Sequence, residues 1–315
     1  MKCIICREEK PESEEHIIPE ALGNRRLITK RVCKECNNKL GTNVDNYLTD
    51  HLIIRIIRKN EDLPGKSRQG IKIFSGVETN KETEREYIMK NDEPVLLPKM
   101  THENDGHIRI EAENENDCFE LFKKAMKKEG LSDEEIISLW KKANIREVEP
   151  ESSLKILKDA PIDLPKWKLS AIKIAYEYAF SMLGEKYIED EVAILFSREL
   201  KKIAYSMKKD INISSEIVKF VTCQTHGNGI EELLFKIKEN LPKDVLHIIF
   251  MIKQDGCLYC ILNLFVANII ANNMADIMTF KIKITKNADD YKVPLPITLV
   301  LRDGTVLPKN LTQEG

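Results

Sequence analysis

The chain has 315 residues, of which 42% are hydrophobic and 32% are charged. This length predicts two or three domains, and the composition is that of an ordinary folded protein, which excludes the disordered and fibrous classes. The 49 basic and 51 acidic residues give a net charge of −2. A nucleic-acid partner therefore cannot be argued from overall charge and must rest on a local cluster.

The first residues of the chain and the length of its apolar runs indicate where in the cell the protein is expected. Met1-Lys2-Cys3 leads into a charged stretch without the apolar region of a secretion signal. The apolar runs are all shorter than the roughly 20 residues needed to cross a bilayer. We therefore expect a cytoplasmic protein with no membrane partner. In a reducing compartment, closely spaced pairs among the eight cysteines indicate metal binding and not disulfides.

Hydrophobic periodicity predicts an α+β chain. In chain order, the pattern predicts a helix over residues 45–59, strands over 71–74, 87–89 and 107–112, and helices over 117–129, 132–143, 166–183 and 190–207. Strands over 245–253, 257–270, 278–284 and 297–301 follow. Ser132 is expected to cap its helix, Gly184 to end the helix over 166–183, and Asp255-Gly256 to form a hairpin turn.

Leu63-Pro64-Gly65-Lys66 interrupts the first helical pattern, and the pattern after it is strand-like. We predict that the chain divides here into residues 1–62 and residues 63–315. The second part is expected to be a mixed α+β accessory domain with a C-terminal antiparallel sheet, used for substrate recognition, regulation or oligomerisation.

Two C-x-x-C pairs lie near the N-terminus, Cys3 with Cys6 and Cys33 with Cys36. Two such turns can present four thiolates in a tetrahedron, which is the ligand set of structural zinc. A module of this size has too small a core to fold alone, and a bound zinc would supply the missing free energy. The alternative is four unpaired buried thiols.

Between the two pairs lies Glu15-His16-Ile17-Ile18-Pro19. On an extended chain the side chains of Glu15 and His16 point to opposite sides. Glu15 can then hold a divalent metal while His16 activates a water molecule, since histidine titrates near neutral pH. Asn37 and Asn38, directly after the second pair, each offer an amide oxygen that can serve as a further metal ligand or as a positioning group. The alternative for His16 is a purely structural histidine.

Together these segments resemble the HNH endonuclease superfamily, in the subgroup with the pattern C-x-x-C, E-H-I-I-P, Leu-Gly, C-x-x-C-N-N and G-x-x-x-D. The matching positions are Cys3–Cys6, Glu15–Pro19, Leu22–Gly23, Cys33–Asn38 and Gly41–Asp45. The resemblance implies a ββα-metal module that hydrolyses phosphodiester bonds of DNA. It also implies that His16 is the general base and that Glu15 and Asn37 are ligands of a catalytic Mg²⁺ or Mn²⁺.

The chain departs from the superfamily's broader pattern at its middle asparagine, which steadies the loop after the histidine. The expected place holds Ile28 or Thr29. Asn24, inside the loop, is a candidate for the same role. Asp45 has two interpretations, because it can reach the metal or cap a helix beginning near Asn46.

Residues 25–39 contain six basic residues and one acidic residue, Glu35, for a local net charge of +5. A phosphate-binding surface is one interpretation of this cluster, and a solvated loop is the other. The candidate nucleic-acid-binding residues are Arg25, Arg26, Lys30, Arg31, Lys34 and Lys39.

Several functional hypotheses remain at this point. By resemblance, the nuclease is a candidate restriction or anti-phage effector. Cleavage of both strands would call for a homodimer, because one such site cuts one strand at a time. The alternatives are a non-catalytic zinc-dependent nucleic-acid-binding module and a toxin-like RNase.

Overall fold

The computed structural model describes residues 1–63, 71–74, 76–80, 83–90, 93–104, 106–146, 161–206, 213–223, 237, 241–266, 278–292 and 296–309. The chain forms two compact units. One combines Met1–Ile71 with Ala160–Gly315, and the other is Lys72–Asp159. The predicted α+β fold class is confirmed, including the N-terminal ββα arrangement and the C-terminal antiparallel sheet.

The first unit begins with an antiparallel hairpin followed by helical segments. In chain order these are β1 (Glu12–His16), β2 (Ile28–Cys33), α1 (Lys34–Leu40), a π-helical turn (Gly41–Asp45), α2 (Asn46–Thr49) and α3 (Leu52–Asn60). The predicted helix over residues 45–59 is thus divided in two. The division lies at His51, which has an extended backbone and caps α3 by accepting a hydrogen bond from the Ile53 N–H.

The second unit contains a three-stranded sheet, a hairpin and two helices. Its elements are β3 (Val77–Thr79), β4 (Glu86–Lys90), β5 (Glu93–Leu96), β6 (Lys99–His102), β7 (Ile108–Glu111), α4 (Glu115–Lys128) and α5 (Asp133–Trp140). The predicted cap is confirmed, since Ser132 and Glu135 form a capping box. The strand predicted over residues 71–74 is wrong. A short apolar alternation becomes a strand only where another strand pairs with it, and the pairing with β4 begins at Val77.

The remainder of the first unit packs helices against a six-stranded sheet. Its elements are α6 (Leu164–Leu183), α7 (Glu185–Ile188), α8 (Glu191–Ala204), α9 (Ser215–Val218), β8 (Val221–Thr222), β9 (Val245–Gln254), β10 (Cys257–Leu264), β11 (Thr279–Thr285), β12 (Ile297–Leu301) and β13 (Val306–Lys309). The sheet is antiparallel throughout, with strand order β13-β12-β9-β10-β11-β8. Gly184 ends α6, and Asp255-Gly256 forms the predicted turn with positive φ at both residues.

One hydrophobic core joins the N-terminal elements to the helices and sheet of the same unit. Helix α6 lies at its centre, in contact with α2, the π-helical turn, α8 and strands β10 and β11. Every residue of α6 from Leu169 to Phe180 is buried. The opposite face of the sheet forms a second, smaller cluster that includes Ile248 and Phe250. The N-terminal hairpin and the sheet are therefore connected through a helix that is covered on all sides.

Three sequence predictions reach positions outside the described residues. These positions are the linker at 64–66, the end of a helix at 207 and the end of a strand at 267–270. Among the described residues, no helix combines the length and apolar character that crossing a membrane requires.

Candidate metal centre and active site

The four N-terminal cysteines converge on one point. Cys3, Cys6, Cys33 and Cys36 are buried, and their sulfur atoms all lie within 4.8 Å of one another. The Cys33 N–H donates a hydrogen bond to the Cys3 sulfur at 3.4 Å. The hydrogen bond from the Cys36 thiol lowers the pKa of Cys3 to about 4, which favours its thiolate form. Four clustered sulfur donors fit the predicted structural zinc.

Hydrogen bonds connect the four-cysteine region to α7 and α8. Arg7, which has a left-handed backbone (φ 65°) just after the first cysteine pair, donates to the Ser197 hydroxyl at 3.0 Å and to the Ile188 carbonyl at 3.0 Å. The Tyr205 hydroxyl lies 3.5 Å from the Cys36 sulfur. Residues far along the chain therefore complete the surroundings of the cluster.

Glu15 and His16, at the end of the first strand of the hairpin, differ in their exposure to solvent. In the β1–β2 register, Glu15 lies opposite Thr29 and His16 opposite Ile28, and the register shifts between Ser13 and Glu15. Glu15 is 3% exposed and faces the interior, whereas His16, at the end of the strand, is half-buried. Glu15 thus contacts the protein core, and the adjacent histidine is accessible from outside.

Asn37 lies on helix α1 and contacts the strand that carries this pair. Its side-chain nitrogen donates to the Glu14 carbonyl at 2.7 Å, which connects the helix to β1 one residue before Glu15. Because the amide nitrogen makes this bond, the amide oxygen remains the ligand that Asn37 can offer a cation. Carboxylate and amide oxygens are hard donors, so the chemistry of Glu15 and Asn37 fits Mg²⁺ or Mn²⁺.

Asn24 closes the loop between β1 and β2. Its side-chain nitrogen donates to the carbonyls of Ile18 (2.7 Å) and Leu27 (2.8 Å). Its oxygen accepts from the N–H groups of Arg26 (3.2 Å) and Leu27 (2.8 Å). The side chain is fully buried, and its two donors and two acceptor sites are all used. Asn24 therefore steadies the loop that follows His16.

A buried charge cluster lies on the inner side of Glu15. The ammonium of Lys173, on α6, is hydrogen-bonded to the Glu15 carboxylate and donates to the His16 carbonyl at 3.1 Å. Glu177 and Asp45 approach the same ammonium at 3.2 Å and 3.6 Å. Burial alone would lower the pKa of Lys173, but the three carboxylates outweigh it and raise that pKa above its ordinary value. Burial raises the pKa of Glu177 well above its ordinary value.

Asp45 does not cap a helix. Its backbone is helical, and its side chain makes no capping hydrogen bond, because α1 continues through the π-helical turn into α2 without a new helix start. The capping interpretation is therefore wrong. Asp45 as a residue is 9% exposed, and its carboxylate belongs to the cluster around Lys173.

The six basic candidates differ in their surroundings. Arg31 forms an ion pair with Glu185, and its guanidinium lies over the Phe180 ring at 5.3 Å. Lys39 lies 3.7 Å above the Tyr205 ring. Both are half-buried. The exposed members of the set are Arg25, Arg26, Lys30 and Lys34.

The C-terminal sheet contacts the loop after His16. His247 on β9 is fully buried, lies 2.7 Å from the Leu22 carbonyl and accepts a hydrogen bond from the Phe265 N–H at 3.1 Å. Burial lowers the pKa of His247 to about 4, so it is neutral at physiological pH and donates to Leu22. A Cβ added to Gly23 would lie 2.5 Å from a methyl group of Leu246. Gly23 also has a left-handed backbone (φ 98°), which residues with a Cβ rarely adopt, so the backbone and the close approach together favour glycine at position 23.

The hairpin, helix α1 and the four-cysteine cluster form one ββα module with a candidate metal site. Residues 3–53, which contain this module, match the family model described as HNH endonuclease. The match confirms the resemblance predicted from the sequence and supports a nuclease-type function in general. No curated protein and no solved structure matches the chain.

The sequence prediction did not include Lys173, although the sequence carries a signal for it. Between Leu169 and Leu183, the only charged residues are Lys173 and Glu177, four positions apart in an otherwise apolar helix. A charge in a helix buried all round must have a partner, because an unpaired buried charge is very costly. That partner cannot be identified from the pattern, since Glu15 lies 158 positions away.

Proposed function

We propose that the protein is a metal-dependent HNH endonuclease that hydrolyses phosphodiester bonds of DNA. One observation carries the proposal: the segment that matches the HNH endonuclease family contains Glu15 and His16 at the end of β1, and Asn37 on a helix that is hydrogen-bonded to the same strand. The four-cysteine cluster supports it, because this zinc would hold the hairpin and helix in one arrangement.

His16 is the general base of this proposal. Its imidazole takes a proton from a water molecule, and the resulting hydroxide attacks the phosphorus atom and displaces the 3′ oxygen. The half-buried position of His16 at the end of β1 gives access from outside, while the hydrogen bonds of Asn24 steady the loop that follows it.

Glu15 and Asn37 would hold a divalent metal, Mg²⁺ or Mn²⁺, through their oxygen atoms. Once bound, such a cation supplies stabilisation of the negative charge that grows on the phosphate and the leaving oxygen. A carboxylate has two oxygen atoms with several acceptor sites, so the hydrogen bond from Lys173 leaves Glu15 further capacity to bind a cation.

The exposed basic residues are proposed to contact the phosphate backbone. Arg31 and Lys39 have partners within the chain, so we assign most of the phosphate contacts to the exposed set, Arg25, Arg26, Lys30 and Lys34. A homodimer would allow cleavage of both strands. A role as a restriction or anti-phage effector is proposed by resemblance alone.

Digestion of three substrates tests the activity. Purified zinc-loaded protein is incubated with plasmid DNA, single-stranded DNA and total RNA, with Mg²⁺, with Mn²⁺ and without either. We expect metal-dependent cleavage of DNA, and His16→Ala is expected to lower its rate by about 10² to 10⁴, the usual contribution of a general base. Zinc content and thermal unfolding of His16→Ala should match those of the wild type. Activity of this variant within about threefold of the wild type would assign the base to another residue.

The same digests separate the alternatives. A non-catalytic zinc-dependent binding module would retard nucleic acid in a gel and leave it intact under every metal condition. A toxin-like RNase would degrade RNA and leave both DNA substrates uncut.

A further inference from the structure

Four ionisable groups from three separate parts of the first unit meet beneath the candidate active site. Lys173 and Glu177 come from α6, Asp45 from the π-helical turn, and Glu15 from β1. Lys173 and Glu177 are fully buried, and the other two are at most 9% exposed. The cluster is therefore part of the interior and not a surface ion pair.

Stabilisation of the fold alone does not explain a buried charge cluster. Removing an ammonium and three carboxylates from water carries a large desolvation penalty, and well-packed apolar residues of similar volume often stabilise a protein as well or better. Such a cluster is thus weak evidence for a stabilising role. It does provide directional bonds at defined positions, which apolar packing does not.

The bonds of Lys173 go to two successive residues. Its ammonium donates to the side chain of Glu15 and to the backbone carbonyl of His16. It therefore holds both the orientation of the carboxylate and the end of the strand that carries the histidine. Asp45 and Glu177 hold the ammonium in turn, at 3.6 Å and 3.2 Å.

The helix that carries Lys173 is well suited to this role. Its residues Leu169 to Phe180 are buried without interruption, and it contacts the sheet on one side and the N-terminal helices on the other. A side chain anchored on such a helix has little freedom to move. Lys173 lies 120 residues beyond the segment that matches the HNH endonuclease family.

We propose that Lys173 is a positioning residue of the nuclease site, which holds Glu15 and His16 in place from a helix outside the HNH segment. This inference rests on the proposed function. Outer partners of metal ligands typically contribute about 10- to 100-fold in affinity or activity, which sets the expected size of the effect.

The test compares Lys173→Met with Lys166→Met. Lys166 lies on the same helix and pairs with Asp163 at its exposed start, so the matched variant makes the same chemical change away from the site. The measurements are kcat and KM for DNA cleavage at saturating Mg²⁺, and the ¹H–¹³C NMR signal of the His16 ring, with the ring of His102 in the other unit as internal reference.

We expect Lys173→Met to lower kcat by about 10- to 100-fold while KM for DNA changes little, because the phosphate contacts are elsewhere. The His16 signal should shift or broaden, and the His102 signal should not. Lys166→Met should match the wild type in all of these. A purely structural role would leave kcat of the folded Lys173→Met protein and its His16 signal unchanged, and that result would overturn the proposal.

Lys173→Arg provides a variant that keeps the buried positive charge. Its planar guanidinium cannot place one nitrogen where the ammonium lies, so a smaller fall in kcat and a shifted His16 signal are expected. If Lys173→Met does not fold, Lys173→Arg tests the inference through the same two measurements, kcat and the His16 signal. Wild-type values of both in Lys173→Arg would overturn the inference.

Failure of the proposed function is distinguishable from failure of this inference. If the wild-type protein cleaves no nucleic acid, the proposed function fails. The His16 signal then decides alone: a change in Lys173→Met but not in Lys166→Met supports the role of Lys173 in holding His16, and an unchanged signal contradicts it.

Discussion

The two proposed ligands of the catalytic metal are held in different ways. Glu15 is bonded to Lys173 in the interior, whereas Asn37 is half-buried and donates hydrogen bonds to the Glu14 carbonyl and the Ser13 hydroxyl. Glu15 contributes a formal charge and Asn37 only a dipole. Their contributions to cation binding should therefore differ in size.

Replacing either ligand by alanine should raise the Mg²⁺ or Mn²⁺ concentration needed for half-maximal cleavage. Glu15→Ala should have the larger effect, because it removes a charge beside the cation. A metal titration of cleavage measures this, with Asn38→Ala, the exposed neighbouring amide on α1, as the control. Zinc content should be unchanged in all three variants. Wild-type metal dependence in both ligand variants would place the cation elsewhere.

His247 gives the folded chain a pH-dependent stability. Its folded-state pKa of about 4 lies below the ordinary histidine value of about 6.5, so the unfolded chain takes up a proton first as the pH falls. The stabilisation is complete above the unfolded pKa and is lost progressively between about pH 6.5 and pH 4. From pH 7 to pH 5 the loss amounts to about 2 kcal/mol.

Urea unfolding at pH 7 and pH 5 measures this dependence. In His247→Gln, which has no titrating group at this position, the difference in unfolding free energy between the two pH values should shrink by about 2 kcal/mol. His102→Gln, at an exposed position on β6, should retain the wild-type difference. An equal pH dependence in wild type and His247→Gln would show that His247 also titrates normally in the folded protein.

At the scale of elements, the four-cysteine cluster joins the hairpin to helix α1. Cys3 and Cys6 precede β1, Cys33 ends β2 and Cys36 lies in the first turn of α1, so one ion would connect three segments. Loss of the ion would release the helix that carries Asn37 from the strand that carries His16.

Removing half of the cysteine ligands should therefore remove the zinc and the activity together. We expect about one zinc per chain by elemental analysis in the wild type and none in the Cys33→Ser, Cys36→Ser variant. The matched control is Cys118→Ser, Cys257→Ser, which replaces two half-buried cysteines outside the cluster and should keep its zinc. Stoichiometric zinc in the Cys33→Ser, Cys36→Ser protein would contradict the assignment.

The elements that sequence patterns predict well are long and periodic. Helix α6 is predicted over residues 166–183 and spans Leu164–Leu183, because its ends carry clear signals, a proline in its first turn and a glycine at its close. The C-x-x-C pairs predict the four-cysteine cluster, because the short spacing within each pair restricts where its two sulfur atoms can lie. The π-helical turn and the cluster around Lys173 could not be predicted, since both depend on packing between residues far apart in the chain.

At the scale of the whole molecule, the first unit consists of two chain segments with 88 residues between them, Lys72–Asp159. Hydrophobic patterns are local, so they predict a boundary after residue 62 but not that residues 160–315 share a core with the N-terminal elements. The boundary after residue 62 stays a prediction.

Limited proteolysis tests this organisation. We expect early cuts near residues 60–70, where Leu63-Pro64-Gly65 ends a helical pattern. After cleavage, the N-terminal fragment and the remainder of the chain should elute together from a sizing column under native conditions and separate in urea, because Met1–Ile71 and Ala160–Gly315 belong to one unit with a shared core. An N-terminal fragment that elutes alone, folded and with zinc bound, would show that the module is independent.

The position of Lys173 also affects when activity can appear during protein synthesis. Ribosomes make the segment with Glu15, His16 and Asn37 first, but the lysine that holds it and the sheet that covers its loop are made more than 100 residues later. At the usual rates of about 5 to 20 residues per second, a nascent chain spends several seconds or more with its N-terminal segment incomplete. If the proposed function and the proposed role of Lys173 hold, a translation product truncated before α6 would lack an assembled site, and aborted synthesis would not release an active nuclease into the cell.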